Sequence, residues 1–171
     1  MYPVLLSGYS RKYCPNNPEY ASGQYFLALL GGMKDKERFM VAFLDNGNNL
    51  IETKTMSEGS VGQAVVYPRE VLKYAIACDC KAIILAHNHP GGSTNFSPED
   101  KALTQRFVDI FHPLEIKVLD HIVVGGTRYS SMAEHGEIPH QCVSKANYEV
   151  IALGETAVEE NQDSCLYTHS F

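Results

Sequence analysis

AIILAHNHPGGSTNFSPED, residues 82–100, is the stretch around which the rest of the chain is organised. It opens on a run of apolar residues, which predicts a buried strand. His87 and His89 follow at the end of that strand, and their side chains point to the same side because side chains alternate along an extended chain with a period of two. The two imidazoles can therefore share one metal ion.

The segment after His89 predicts a loop followed by a helix. Its glycine, serine and asparagine residues can turn the backbone back towards the strand end. Ser97 is typical of a helix N-cap and Pro98 of a first helical residue, so Asp100 is predicted in the first turn, where its carboxylate can face the two imidazoles. A structural alternative exists, because Ser97-x-x-Asp100 is also a capping box and histidines at strand ends are often only hydrogen-bonded.

His87, His89 and Asp100 together form a candidate zinc site. Two neutral imidazoles and one carboxylate, with a fourth position left to water, are the ligand set of a catalytic zinc, which polarises a carbonyl and acidifies its bound water. A structural zinc is usually closed by four protein ligands, mostly cysteines. The complete spacing, His-x-His-x7-Ser-x2-Asp, favours a metal site over the alternative of a plain capping box beside hydrogen-bonded histidines.

This spacing resembles the zinc motif of the JAB1/MPN/Mov34 (JAMM) metalloprotease domain. The wider sequence is similar to the bacterial RadC-like branch of that family, in blocks at residues 67–70, 82–90, 97–104 and 118–123. The resemblance covers residues 20–133 and implies a single JAB1/MPN domain of the α/β class. Such a domain has a mixed β-sheet flanked by helices, similar to the cytidine deaminases.

The resemblance also implies a general base, which JAMM enzymes supply as a glutamate on an upstream strand. Glu37 and Glu58 both precede the metal loop. Glu37 matches the family pattern Glu-x-Phe-x-x-x-x-Leu-Asp, whereas Glu58 lies where RadC-like chains have a variable loop before a glycine. We therefore expect Glu37 to be the base; the alternative is a solvated glutamate at the start of a strand.

Asp120 and His121 lie in the middle of a predicted strand, where a charged pair needs a reason. Adjacent strand residues point to opposite faces, so the two side chains cannot both reach one metal. The resemblance suggests a supporting role near the site, such as a hydrogen bond to a ligand imidazole. A hydrogen-bonded structural pair is the alternative, and we include neither residue among the metal ligands.

Periodicity elsewhere predicts the order α, β-hairpin, α, β, α, β, β. Val71, Leu72, Ala75 and Ile76 are expected to form the sheet-facing side of the second helix. The predicted elements are helices at residues 22–33, 68–78 and 98–112, strands at 37–44, 50–56, 82–86, 116–124 and 129–132, and a connection at 57–66.

The two ends of the chain fall outside the predicted domain. Residues 1–19 are rich in proline and asparagine and predict an arm. Residues 134–171 form a C-terminal extension in which residues 148–153 are compatible with a strand or a short helix. This extension is interpreted as either an interaction tail or a segment that covers the substrate groove.

Composition narrows the class of protein. At 171 residues, with 44% hydrophobic and 20% charged residues, the chain is expected to be a single soluble domain. Five cysteines without a Cys-x-x-Cys pair indicate no disulfide framework or zinc knuckle. No signal peptide or long apolar stretch is visible, which predicts a cytoplasmic protein without a membrane partner. Nucleic acid is a possible partner, but a net charge of −6 does not favour binding to its phosphates.

Three functions remain. The first is a zinc-dependent metallohydrolase in which zinc-activated water attacks a peptide or isopeptide carbonyl, Glu37 takes the proton and Ser97 helps to hold the oxyanion. The second is a DNA repair or recombination accessory protein of the RadC type, and the third is a non-catalytic MPN interaction domain. Loss of ligands would mark the third class, and here the three ligands are present. The first function, with a peptide or protein substrate, is the prediction.

Overall fold

The computed structural model describes residues 18–141 and 146–153. Its elements in chain order are helix α1 (Pro18–Leu30), strands β1 (Lys36–Leu44), β2 (Leu50–Ser60) and β3 (Val65–Val66), helix α2 (Pro68–Ala77), strand β4 (Ala82–Asn88), helix α3 (Pro98–Phe111), a short 3-10 helix (His112–Leu114), and strands β5 (Lys117–Gly125), β6 (Arg128–Ser131) and β7 (Ile151–Ala152). The predicted α/β class is confirmed.

Five strands form one mixed sheet in the order β2-β1-β4-β5-β6. Strand β4 lies at the centre and is buried along its whole length, which explains why its first residues are apolar without alternation. It pairs antiparallel with β1 and parallel with β5. The parallel pair is joined through α3, since parallel neighbours need a crossover connection.

The sheet has a helix layer on each face. Ile83 and Leu85 of β4 belong to a core cluster with residues of α2 and α3, whereas Ile84 and Ala86 belong to a second cluster with residues of α1. This alternation continues to the end of the strand, because the side-chain period of a strand is two. His87 therefore points to the same face as Leu85, towards α3.

Helix α1 differs from its predicted bounds of residues 22–33. It begins at Pro18, within the predicted arm of residues 1–19, and it ends at Leu30. Gly32 ends it early, since its φ of 78° is left-handed and its N–H donates to the carbonyl of Gly126. The remainder of the arm, residues 1–17, lies outside the described residues.

The predicted connection at residues 57–66 was wrong. Strand β2 continues to Ser60, because β1 pairs with it from Leu44 back to Lys36. Strand β3 then pairs antiparallel with β7 in a small second sheet. Within residues 148–153, the strand alternative is therefore the one observed, and Leu153 is buried with its N–H donating to the carbonyl of Ala64 at 2.6 Å. Residues 142–145 and 154–171 of the predicted tail lie outside the described residues.

Helix α2 buries a narrower face than predicted. Val71 and Ala75 are fully buried and Leu72 is partly buried, but Ile76 is 62% exposed. The prediction for Ile76 was wrong, because this short helix contacts the core only along the stripe through Val71 and Ala75. No helix in the described ranges combines the length and apolar character that crossing a bilayer requires.

Candidate metal centre

The end of β4 brings the two predicted histidine ligands together. His87 is 1% exposed, and its Nε2 atom lies 3.0 Å from Nε2 of His89. His89 follows the last residue of the strand, but its backbone N–H still donates to the carbonyl of Val124 on β5. The neighbouring strand thus keeps the chain extended past Asn88, so both imidazoles remain on one side.

Asp100 reaches both imidazoles from the first turn of α3. Its Oδ1 atom lies 2.9 Å from Nε2 of His87, and Oδ2 lies 3.4 Å from Nε2 of His89. The same carboxylate completes a capping box, because Oδ2 accepts from the backbone N–H of Ser97 at 2.8 Å. The capping and ligand interpretations are therefore compatible: the cap fixes the carboxylate in the orientation that a ligand needs.

The cluster has the dimensions of a zinc site. One ligand atom from each of His87, His89 and Asp100 can be chosen so that all lie within 4.8 Å of one another. Ligands about 2.0–2.1 Å from a tetrahedral zinc lie about 3.3 Å apart, close to the 2.9, 3.0 and 3.4 Å separations seen here. Among the described residues, this is the group of three His, Cys, Asp or Glu side chains that lie close enough together to hold one metal ion. The residues present thus fit the metal.

The charge state of Asp100 also suits a metal ligand. Burial raises the pKa of its carboxyl, but the interactions with the His87 and His89 imidazoles outweigh burial and hold the pKa well below its ordinary value. The carboxylate is therefore ionised at neutral pH and offers a negative charge to a cation.

The loop carbonyl of Ser93 fixes the ring of His89. It lies 3.1 Å from His89 Nδ1, and a carbonyl oxygen can only accept, so Nδ1 carries the hydrogen and Nε2 of the neutral ring has its lone pair free. Gly125 of β5 makes this contact possible: an added Cβ there would lie 2.4 Å from the Ser93 carbonyl oxygen. The loop can approach the strand only over a residue without a side chain.

Glu37 lies beside the imidazoles, whereas Glu58 does not. Phe39 pairs directly with His87, and Glu37, two residues earlier on β1, points to the same face. Glu37 is 5% exposed, and its Oε2 atom accepts from the backbone N–H of Gly62 at 3.3 Å. Burial raises the pKa of its carboxyl, and the charges of His87 and His89 partly offset this effect.

Glu58 is held on the surface by two cations. It forms ion pairs with Lys36 and Arg38, which hold the pKa of its carboxyl below the ordinary value. Both partners lie on β1, opposite the part of β2 that was predicted as a loop. Of the two candidate bases, the structure brings only Glu37 to the cluster.

Ser97 lies at the N-terminus of α3, next to the cluster. Its Oγ atom accepts from the backbone N–H of Asp100 at 3.0 Å, and the hydroxyl still has its own hydrogen to donate. The described histidines outside the cluster and its support, His112, His135 and His140, are exposed.

Of the two neighbours, His121 contacts a ligand imidazole, whereas Asp120 forms structural hydrogen bonds. His121 is fully buried, and its Nε2 lies 2.8 Å from Nδ1 of His87, which is the predicted contact with a ligand imidazole. Burial, followed by the charge of His87, lowers the pKa of His121 to about 3, so this ring is neutral. Asp120 instead accepts hydrogen bonds from the Ser131 hydroxyl and from the backbone N–H groups of His121 and Ala133.

Sequence reasoning missed two residues that organise the site. Thr104 contacts His121, with Oγ1 2.6 Å from Nδ1, and its position one turn after Asp100 on α3 was an available signal. Asn88 points to the opposite side from His87, where it accepts from the N–H of Arg38 and donates to the carbonyl of Lys36. It thereby anchors the residues on either side of Glu37.

Comparison with known proteins agrees with this geometry. The family model described as RadC-like JAB domain matches residues 17–137. The chain is 47% identical over 102 residues to the UPF0758 protein YkfG of Escherichia coli (strain K12), a match that covers 60% of this chain and 65% of that protein. It is 47% identical over 105 residues to a UPF0758 protein of Histophilus somni (strain 2336), covering 61% of this chain and 47% of the relative. The chain thus matches less than two thirds of the length of each relative.

Proposed function

The chain belongs to the RadC-like JAB domain family, and from this premise we propose that it is a zinc-dependent metallohydrolase of the JAMM type acting on peptide or isopeptide bonds. One observation carries the proposal: His87, His89 and Asp100 converge within 4.8 Å while the buried carboxylate of Glu37 lies beside them. A structural metal site has no need of a buried, uncoordinated carboxylate at its edge.

The ligand chemistry favours zinc. Imidazole and carboxylate together suit this borderline metal, and three protein ligands leave a position open, as in catalytic rather than structural zinc sites. When bound, zinc would supply Lewis acidity, which lowers the pKa of water and polarises a carbonyl. His87, His89 and Asp100 would hold the ion.

Glu37 has the properties of a general base. It is close enough to the imidazoles for their charges to affect its pKa, but it is not part of the metal-binding group. Burial raises its pKa above that of an ordinary carboxyl, which makes the carboxylate a stronger proton acceptor. In the proposed reaction it takes a proton from the attacking water and passes it to the leaving amine.

Ser97 would stabilise the negative charge that develops on the carbonyl oxygen. The N–H of Asp100 bonds to the lone pairs of its Oγ atom, which orients the hydroxyl and leaves its hydrogen for the substrate. A donor that is already fixed in place stabilises a transition state without reorganisation.

Metal analysis combined with a cleavage screen tests this function. We expect zinc in the purified protein and cleavage of a peptide or isopeptide substrate, with no cleavage by the His87→Ala, His89→Ala double variant. Cleavage of nucleic acid alone would contradict the proposal. Zinc-loaded protein that cleaves no peptide, isopeptide or nucleic-acid substrate would favour the non-catalytic interaction domain.

Nucleic-acid binding provides a separate prediction. With 20 acidic residues against 14 lysines and arginines, the chain has few cations to engage phosphates. We expect any binding of duplex DNA to be weak and to disappear between about 50 and about 200 mM salt, measured by fluorescence anisotropy. Submicromolar, sequence-specific binding near physiological salt would place the RadC-type repair role ahead of the hydrolase.

A further inference from the structure

The geometry points to Thr104 and His121 as positioning residues that allow His87 to present a metal-facing nitrogen without a hydrogen, an inference that rests on the proposed metal site. The three side chains form a chain behind the cluster: His87 Nδ1 lies 2.8 Å from His121 Nε2, and His121 Nδ1 lies 2.6 Å from Thr104 Oγ1. All three are at most 1% exposed, so their hydrogen bonds must be satisfied within the protein.

Thr104 can orient its hydroxyl hydrogen in two ways. Its Oγ1 atom lies 2.7 Å from the backbone carbonyl oxygen of Asp100 and 2.6 Å from Nδ1 of His121; the sulfur of Met132, at 3.4 Å, is a weaker acceptor. Bonding of a helical threonine to the carbonyl four residues earlier is common. The hydroxyl can therefore either donate to His121 or accept from it.

In the first arrangement the hydroxyl donates to Asp100, and this frees the metal-facing nitrogen of His87. Thr104 Oγ1 then accepts a hydrogen from His121 Nδ1, so that His121 Nε2 has a lone pair. That lone pair accepts from His87 Nδ1–H. His87 Nε2 is left without a hydrogen and faces His89 and Asp100, as a metal ligand must.

In the second arrangement every bond in the chain is reversed. The hydroxyl donates to His121 Nδ1, His121 Nε2–H donates to His87 Nδ1, and His87 Nε2–H donates to Oδ1 of Asp100 at 2.9 Å. Each ring carries one hydrogen in both arrangements, and so does the hydroxyl, so neither gains nor loses a proton. This second arrangement suits the metal-free cluster, which needs a hydrogen between His87 and the carboxylate.

The hydroxyl of Thr104 is thus the end of the chain that lets His87 change tautomer with all its bonds kept. His89 differs, because the Ser93 carbonyl allows its neutral ring a single tautomer. Valine at position 104 would keep the shape and the β-branch of threonine but offer no acceptor, leaving His121 Nδ1–H unpaired in the arrangement that binds metal. Serine would keep the acceptor.

Zinc affinity of the Thr104→Val and Thr104→Ser proteins, measured by competition with a chelator, tests the inference without reference to hydrolysis. We expect the valine variant to bind zinc at least about 10-fold more weakly than wild type and the serine variant to remain within about threefold of it. Thermal melts of the metal-free proteins separate this effect from misfolding.

Ring nitrogen NMR of the zinc-loaded wild type gives a second, variant-free test. We expect His87 and His121 both to carry their hydrogen on Nδ1. A hydrogen on Nε2 of His121, or wild-type zinc affinity in a folded Thr104→Val protein, would overturn the inference while leaving the metal site intact. Failure of the wild type to bind zinc would overturn the proposed function and this inference together.

Discussion

The Glu37→Gln protein should keep its metal and its fold while its turnover falls by about a hundredfold or more, the scale that general-base catalysis contributes. Glutamine has nearly the same shape as glutamate and can still accept the hydrogen bond from Gly62 N–H through its amide oxygen. It cannot, however, take a proton from water. Steady-state kinetics on a peptide or isopeptide substrate, together with the zinc content of the same sample, measure both parts of the expectation.

Glu58→Gln is the matched control, because it makes the same chemical change on the neighbouring strand. Glu58 is exposed and bonded to Lys36 and Arg38, and exposed pairs of this kind contribute little stability. Its loss should leave both zinc content and turnover near the wild-type values. An inactive Glu58→Gln protein beside a fully active Glu37→Gln protein would reverse the assignment of the base.

Removing both imidazoles should abolish metal binding. In the His87→Ala, His89→Ala protein, Asp100 is the one predicted ligand that remains, and a single carboxylate does not hold zinc at low concentration. Zinc should fall from about one ion per chain to almost none, and hydrolysis should be lost with it. Elemental analysis after dialysis against a weak chelator makes the measurement.

His87 is buried against His121, so its removal also risks misfolding. His89→Ala alone removes a side chain that is 21% exposed and is the safer comparison. It should retain a cooperative thermal transition but hold zinc far more weakly than wild type. Stoichiometric zinc in a folded double variant would show that these histidines are not the ligands.

The sequence was most informative where short-range patterns determine the structure. The apolar run before His87 predicted the central strand, and Ser97 with Pro98 predicted the start of α3, because N-caps and first-turn prolines act within a few residues. The period of two placed both histidines on one side. The geometry of the metal cluster followed from these local rules together with the family motif.

The sequence was least informative where partners come from distant parts of the chain. The pairing of β3 with β7 joins Val66 to Ile151, and neither two-residue strand has a pattern of its own. The contact of His121 with Thr104 depends on how α3 packs against β5, whereas the contact of His121 with His87 was suggested by the family resemblance and not by a local pattern. Tertiary packing sets these relations, and no local spacing encodes them.

X-ray absorption at the zinc edge of the purified protein would test the proposed metal centre most directly, since it reports the number and type of ligand atoms. We expect one zinc per chain with a first shell of nitrogen and oxygen at about 2.0–2.1 Å, as imidazole, carboxylate and water provide. The His87→Ala, His89→Ala protein should give no such shell. A sulfur shell at about 2.3 Å in the wild type, or no zinc at all, would contradict the site formed by His87, His89 and Asp100.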